Sequence, residues 1–123
     1  MNRRIIILLI TIVVAACASP AERRNQAPNL DLSSSKSAKD VAICIAEKWE
    51  NTRPFMALSS PPVNTNIRAQ GFSITVTDTN RMGSTNTIAL ADISEKQAAS
   101  DTKYYKMAGG GFGDYDDAVK QCQ

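Results

Sequence analysis

The chain contains no histidine at all among its 123 residues. That removes the side chain most often used as a general base, together with the Ser-His and Cys-His pairs that activate nucleophiles. Cysteine is scarce, with three copies, and aromatic residues make up only 6%. With no histidine, and with the three cysteines expected to be committed to lipid and a bridge, no zinc centre of the common Cys/His kind remains. Charge of one sign is also lacking: 14 Lys and Arg stand against 12 Asp and Glu. Two of the basic residues, Arg3 and Arg4, lie in the first four positions, so beyond them 12 basic residues balance 12 acidic ones. No basic surface remains of the kind that binds nucleic acid through its phosphates. The sequence points to no catalytic residue, no metal, no cofactor and no nucleic-acid partner.

The N-terminus is organised differently from the rest. Arg3 and Arg4 precede a run from Ile5 to Val14 that is apolar except for Thr11. A positive patch, an apolar core of about 10 residues and small residues behind it describe an export signal. A membrane-spanning helix needs roughly 20 apolar residues. Val14-Ala15-Ala16-Cys17 resembles the bacterial lipobox, in which an aliphatic residue and two small residues precede a cysteine. The resemblance implies a lipid thioether on Cys17, cleavage before it and acylation of the new N-terminus. Several acyl chains anchor stably where one holds only reversibly. Ala18 stands where an Asp would favour retention in the inner membrane, so the expected location is the outer membrane, lipid-anchored and facing the periplasm.

Three segments follow. Residues 1–16 read as the signal. Residues 17–36 read as the lipidated cysteine and a flexible tether, polar and without periodicity, holding the domain roughly 25 Å from the bilayer. Residues 37–123 read as a small α+β domain. In it, Ser37-Ala38-Lys39-Asp40 matches a capping box, and Val41, Cys44, Ile45, Lys48 and Trp49 recur at helical spacing, with Ile43 widening the apolar face. The helix should run from Ala38 to Asn51, before Pro54. Tyr115, Ala118, Val119 and Cys122 mark a short C-terminal helix, with Asp114, Asp116 and Asp117 in its first turn, where carboxylates suit the helix dipole.

Between the helices the period changes to two. Phe72, Ile74 and Val76 alternate with polar residues, and Ile88 and Leu90 mark a second strand across a loop at residues 79–84. Lys103 to Met107 marks a third, and Val63 to Ile67 a shorter fourth. The expected architecture is therefore an N-terminal helix, a three- to four-stranded antiparallel sheet and a C-terminal helix. Tyr104 and Tyr105 should point to opposite faces, leaving one exposed. With Cys17 committed to lipid, Cys44 and Cys122 remain as an even pair in an oxidising compartment. Each lies on the apolar face of its helix, so a bridge would clamp the two together; the alternative is two buried thiols.

Other candidates are less specific. The apolar loop Thr52–Leu58 either caps an end of the core or offers a partner a patch through Phe55, Met56 and Leu58. Gly109-Gly110-Gly111-Phe112-Gly113 fits no phosphate-binding fingerprint and reads as a turn that lets Phe112 tuck in or project. The three aspartates near residue 116 read as solvated capping charges rather than a calcium site.

Cys44-Ile45-Ala46-Glu47-Lys48-Trp49-Glu50, Gly71-Phe72-Ser73-Ile74 and Ala118-Val119-Lys120-Gln121-Cys122, together with the lipobox, resemble a group of small proteobacterial lipoproteins. The resemblance implies the cysteine pairing and a compact α+β domain, and it brings no activity with it. A more distant likeness is to small lipoprotein subunits of outer-membrane assembly machines, whose helix-helix-strand order differs. The resulting expectation is a membrane-anchored, non-enzymatic interaction or structural module with an envelope protein as partner. The alternative is a prophage-type exclusion or inhibitor lipoprotein acting on a receptor or an envelope enzyme.

Overall fold

Ser37 opens the principal helix, α2 (Ala38–Glu50), and the local chemistry explains why it starts there. The Ser37 hydroxyl accepts from the Asp40 backbone N–H at 3.1 Å and donates to the Asp40 carboxylate at 2.8 Å. Glu95, from a distant strand, accepts the Ala38 N–H at 3.1 Å, placing a second carboxylate at the positive helix end. At the other end Asn51 and Thr52 donate to the carbonyls of Glu47 and Lys48, both at 2.8 Å, satisfying groups the helix leaves open. The inward face is Ala38, Val41, Ala42, Ile45 and Trp49. Ile43, expected to widen that face, is instead 47% exposed. The computed structural model describes residues 19–54, 59–79, 81–107 and 115–123.

The sheet has five strands, not the three or four expected, all antiparallel in the order β1-β5-β4-β3-β2. They are β1 (Leu30–Ser34), β2 (Val63–Arg68), β3 (Gly71–Thr79), β4 (Thr85–Lys96) and β5 (Ala99–Lys106). Phe72, Ile74 and Val76 pair with Ile93, Ala91 and Ala89, and this face packs under α2. Ala91 lies between Ile74 and Tyr104 in the pairing. Its small side chain leaves depth for Trp49, which is fully buried and meets the rings of Tyr104 and Tyr115 edge-on at 6.1 and 5.6 Å. Between Val76 and Thr77 the register slips by one residue, and Ile88 is the extra residue on β4. Ile88 and Ala89 therefore both join the core, and Leu90 turns to the opposite face. Their spacing implied a shared face; a bulge breaks that alternation.

α3 (Tyr115–Gln121) closes the chain against the same side. The indole of Trp49 donates to the Tyr115 carbonyl at 3.0 Å, and Lys36 Nζ to the Cys122 carbonyl at 3.0 Å. Cys44 and Cys122 form a disulfide with their Cα atoms 5.7 Å apart. It clamps α2 to the end of α3, as the cysteine count had suggested.

Residues 19–36, expected to belong to a flexible tether, carry a helical turn and a strand instead, so the tether expectation is corrected over those residues. Ser19-Pro20-Ala21-Glu22 forms a complete capping box: the Glu22 N–H donates to the Ser19 hydroxyl at 3.3 Å and the Ser19 N–H to the Glu22 carboxylate at 2.7 Å. This starts a single helical turn, α1 (Pro20–Arg24). After it, β1 pairs along β5, with Leu30 opposite Tyr104 and Leu32 opposite Thr102, and both leucines pack on the core. Polar composition suggested disorder, but the partners that order this stretch lie 68 to 83 residues away. α1 sits against the sheet face opposite α2. Tyr105 is buried there beneath the Arg23 guanidinium, 5.6 Å from its ring. Both adjacent tyrosines are thus buried, contrary to expectation, because each face of β5 is covered.

The two-residue turn between β4 and β5 holds Ala98 at φ 54°, a left-handed conformation that costs a residue with a Cβ about 1–2 kcal/mol. Glycine loses part of this advantage through its freer unfolded chain. Ala98→Gly should therefore raise stability by about 0.5–1 kcal/mol. Urea unfolding checks this; an unchanged or lowered midpoint would contradict it.

Candidate functional site

Alternation along β4 places Leu90, Asp92 and Ser94 on the face away from α2, beside Ser73 of β3 and Lys103 and Tyr105 of β5. A carboxylate in the middle of a central strand needs partners, and Asp92 has three. Arg24 of α1 grips it with two prongs, Nε to Oδ2 at 2.6 Å and Nη2 to Oδ1 at 3.0 Å. The Ser73 hydroxyl donates to Oδ1 at 2.8 Å, and Arg68 Nη1 lies 3.1 Å from the same oxygen. Arg24 Nη2 also reaches the Ser73 oxygen at 2.9 Å. Burial pushes the Asp92 carboxyl pKa up. Hydrogen bonds from Arg24 and Ser73, with the charges of Arg24 and Arg68, outweigh that and hold it below the ordinary carboxylate value. The hydrogen bond to Asp92 raises Arg24 in turn, against some loss of solvation.

Arg23, next in the chain, fixes α1 by a separate set of contacts. Its guanidinium donates to the Lys106 carbonyl at 3.3 Å, the Ala27 carbonyl at 3.2 Å and the Asn29 side chain at 2.8 Å. Asn29 in turn accepts the Lys106 N–H at 2.7 Å. Two consecutive arginines, each with its own set of partners, hold residues 19–29 to the sheet.

Beside this cluster opens a cleft of about 460 Å³ bordered by Arg24, Arg68, Gln70, Asp92, Ser94 and Lys103. The pairing Arg68–Gly71–Ser94 brings two of these residues onto neighbouring strands. Gly71 has φ +143°, and a Cβ there would sit 1.9 Å from the Ile93 carbonyl oxygen, so the close approach of β3 and β4 requires glycine. On the other side of the molecule a smaller groove of about 230 Å³ runs between α2 and β2, bordered by Ile43, Ala46 and Phe72.

Chemically the cleft offers cations and hydrogen-bond donors. Its carboxylate is saturated. Burial raises the phenols of Tyr104, aided by Asp116, and of Tyr115, aided by Asp78, so both stay protonated at neutral pH. Among the described residues no group of three or more acidic or cysteine side chains is placed to hold a metal ion. Asp116 and Asp117 instead face Lys120 at 3.9 and 3.6 Å.

Of the residues singled out in the sequence, Cys44 and Cys122 are brought together. Cys17, Phe55, Met56, Leu58 and Phe112 lie outside the described residues, as does the glycine run at 109–111. Sequence reasoning missed Arg24, Arg68, Ser73, Asp92 and Lys103. One signal was available: Asp92 is a lone charge inside Ile88-Ala89-Leu90-Ala91-Asp92-Ile93, and a charge within a buried strand calls for a counter-charge. Among the described residues no helix is long and apolar enough to cross a membrane. No family model matches the chain, and no curated protein or solved structure is significantly similar to it.

Proposed function

We propose that the chain is a bacterial envelope lipoprotein of the small proteobacterial kind its motifs resemble, anchored through lipid on Cys17. On this reading its domain is a non-enzymatic interaction module at the periplasmic face of the outer membrane, where it meets an envelope protein. The observation that carries the reading is the bridge between Cys44 and Cys122. A structural disulfide fits an oxidising compartment, and it leaves Cys17, behind Val14-Ala15-Ala16, as the one cysteine available for acylation. The absence of histidine and the saturation of Asp92 by donors favour binding over catalysis.

Labelling cells with an alkyne fatty acid tests the anchor. Wild-type protein should take up label and fractionate with the outer membrane, and Cys17→Ser should lose the label and accumulate as uncleaved precursor. Label retained by Cys17→Ser, or none on the wild type, would overturn it.

A further inference from the structure

The N-terminal turn changes what an anchor at Cys17 would do. A flexible tether over residues 18–36 would let the domain tumble freely. Here α1 is already capped at Ser19, two residues after Cys17, and those two residues reach at most about 7 Å. The five helical steps from Ser19 to Arg24 add about 7.5 Å. Arg24 therefore lies within about 15 Å of the lipidated position, whichever direction the intervening residues take. α1 does not swing, because Arg23 fixes it to Lys106 and Asn29 while Arg24 fixes it to Asp92. The chain thus runs from the anchor directly into α1, on the sheet face that carries the cleft.

The charges in that cleft are unevenly satisfied. Asp92 neutralises one of the three cations around it, and Arg24 takes that role with a two-pronged grip. Arg68 touches a single Asp92 oxygen and keeps 49% of its side chain exposed. Lys103 stands opposite Asp92 on β4 and Asp31 on β1, yet among the described residues no carboxylate lies in ion-pair range of its ammonium. Asp101, the acid on β5 itself, is engaged by Lys96 and Ser33. Two cations with free donors, flanked by the polar side chains of Gln70 and Ser94, form a pocket for an oxyanion with several acceptor oxygens.

We propose that the cleft between Arg68 and Lys103 binds the phosphate of a phospholipid headgroup in the bilayer that holds Cys17, so that the domain lies against the membrane by its α1 face. This rests on the lipoprotein reading for its location. Asp92 is the positioning residue: it aims Arg68 and locks α1, and it does not itself meet the ligand.

The test uses the mature chain, residues 17–123, with Cys17→Ser so that no acyl chain contributes to binding. It is floated with vesicles of phosphatidylethanolamine and phosphatidylglycerol in equal parts. The protein should float, and Arg68→Ala/Lys103→Ala should bind about tenfold more weakly or worse, as expected for losing two charge-assisted contacts. Lys39→Ala/Lys120→Ala, which removes equal charge from the α2 and α3 surfaces, should leave flotation unchanged. Neutral glycolipid vesicles, which carry no phosphate, should not bind. Equal losses in the two double variants would mean diffuse attraction and overturn the site, as would no loss in either. Displacement by inorganic phosphate at the headgroup concentration would assign the cleft to a free anion and overturn the membrane as its source. Failure of the anchor would appear separately, as wild-type protein without fatty-acid label, since flotation of the unlipidated chain does not depend on it.

Discussion

Asp92→Ala should lower stability by about 3 kcal/mol. Removing one partner of a buried ion pair costs about 3–5 kcal/mol because the opposite charge is stranded. Here the partners are partly solvated, Arg24 at 30% and Arg68 at 49% exposure, which places the loss at the low end. Two guanidinium groups would face each other without a carboxylate, and the Ser73 hydroxyl would lose its acceptor. The damage should also be local. Amide exchange in residues 19–29 should accelerate ahead of the rest, because Arg24 is half of what docks α1. Acid gives a second arm. The folded pKa of Asp92 lies below its ordinary value of 3.8, since donor bonds and positive charges outweigh the upward push of burial. Such a group stabilises the fold fully above its unfolded pKa and loses that contribution as pH falls through the folded one. The wild type and Asp92→Ala should therefore differ most at neutral pH and converge below about pH 4. Urea midpoints across that range measure it. A gap that persists undiminished in acid would mean the aspartate acts by packing rather than by charge.

What was legible in the sequence was what is stabilised locally. α2 could be placed almost to the residue because its cap, its apolar period and its stop before Pro54 all lie within its own stretch. β3 was legible for the same reason, since Phe72, Ile74 and Val76 alternate cleanly. The disulfide followed from parity, once Cys17 was set aside. β4 was found, but its faces were misassigned after Ile88, because a bulge depends on how a partner strand is met and not on the strand alone.

The candidate site was hidden for a related reason. Arg24 lies in a stretch whose composition reads as a spacer, and only Asp92, 68 residues on, gives it a place. Ser19-Pro20-Ala21-Glu22 did carry a helix-start signature, a hydroxyl and a carboxylate three residues apart with proline at the first helical position. A single turn cannot bury enough to stand alone, so the signature has force only when α1 has a surface to dock on. Leu30 and Leu32 likewise alternate too briefly to announce a strand, and Tyr104 and Thr102 opposite them supply what is missing. The tyrosine pair shows the reverse effect. Alternation correctly sent Tyr104 and Tyr105 to opposite faces, and burial of both followed from a covering segment that alternation cannot reveal.

Replacing Cys44 and Cys122 together by alanine should cost about 4 kcal/mol, since the bridge closes a loop of 78 positions and restricts the unfolded chain accordingly. A domain of this size is stable by only about 5–10 kcal/mol, so the double variant should be folded but marginal. The structure also specifies how the loss should appear. α3 has ties besides the bridge: the Trp49 indole to Tyr115, Lys48 to Gln121, Lys36 to Cys122 and Thr102 to Gln123. The folded double variant should therefore keep α3 in place, and the fluorescence of Trp49, packed against Tyr115, should match the wild type at low urea. The change should lie in the unfolded state, which without the cross-link expands and exposes more surface, giving a lower midpoint and a steeper dependence on denaturant. Single replacements should be worse in cells than the double one, because an orphan thiol in an oxidising compartment pairs with other proteins. Mass spectrometry of denatured, non-reduced protein counts the thiols, and urea unfolding with and without reductant measures the stability. Two free thiols in exported protein would remove the clamp from the native fold. A double variant that loses its native tryptophan signal in buffer would mean that the bridge, and not the hydrogen bonds and ring contacts around Trp49, holds α3 against the sheet.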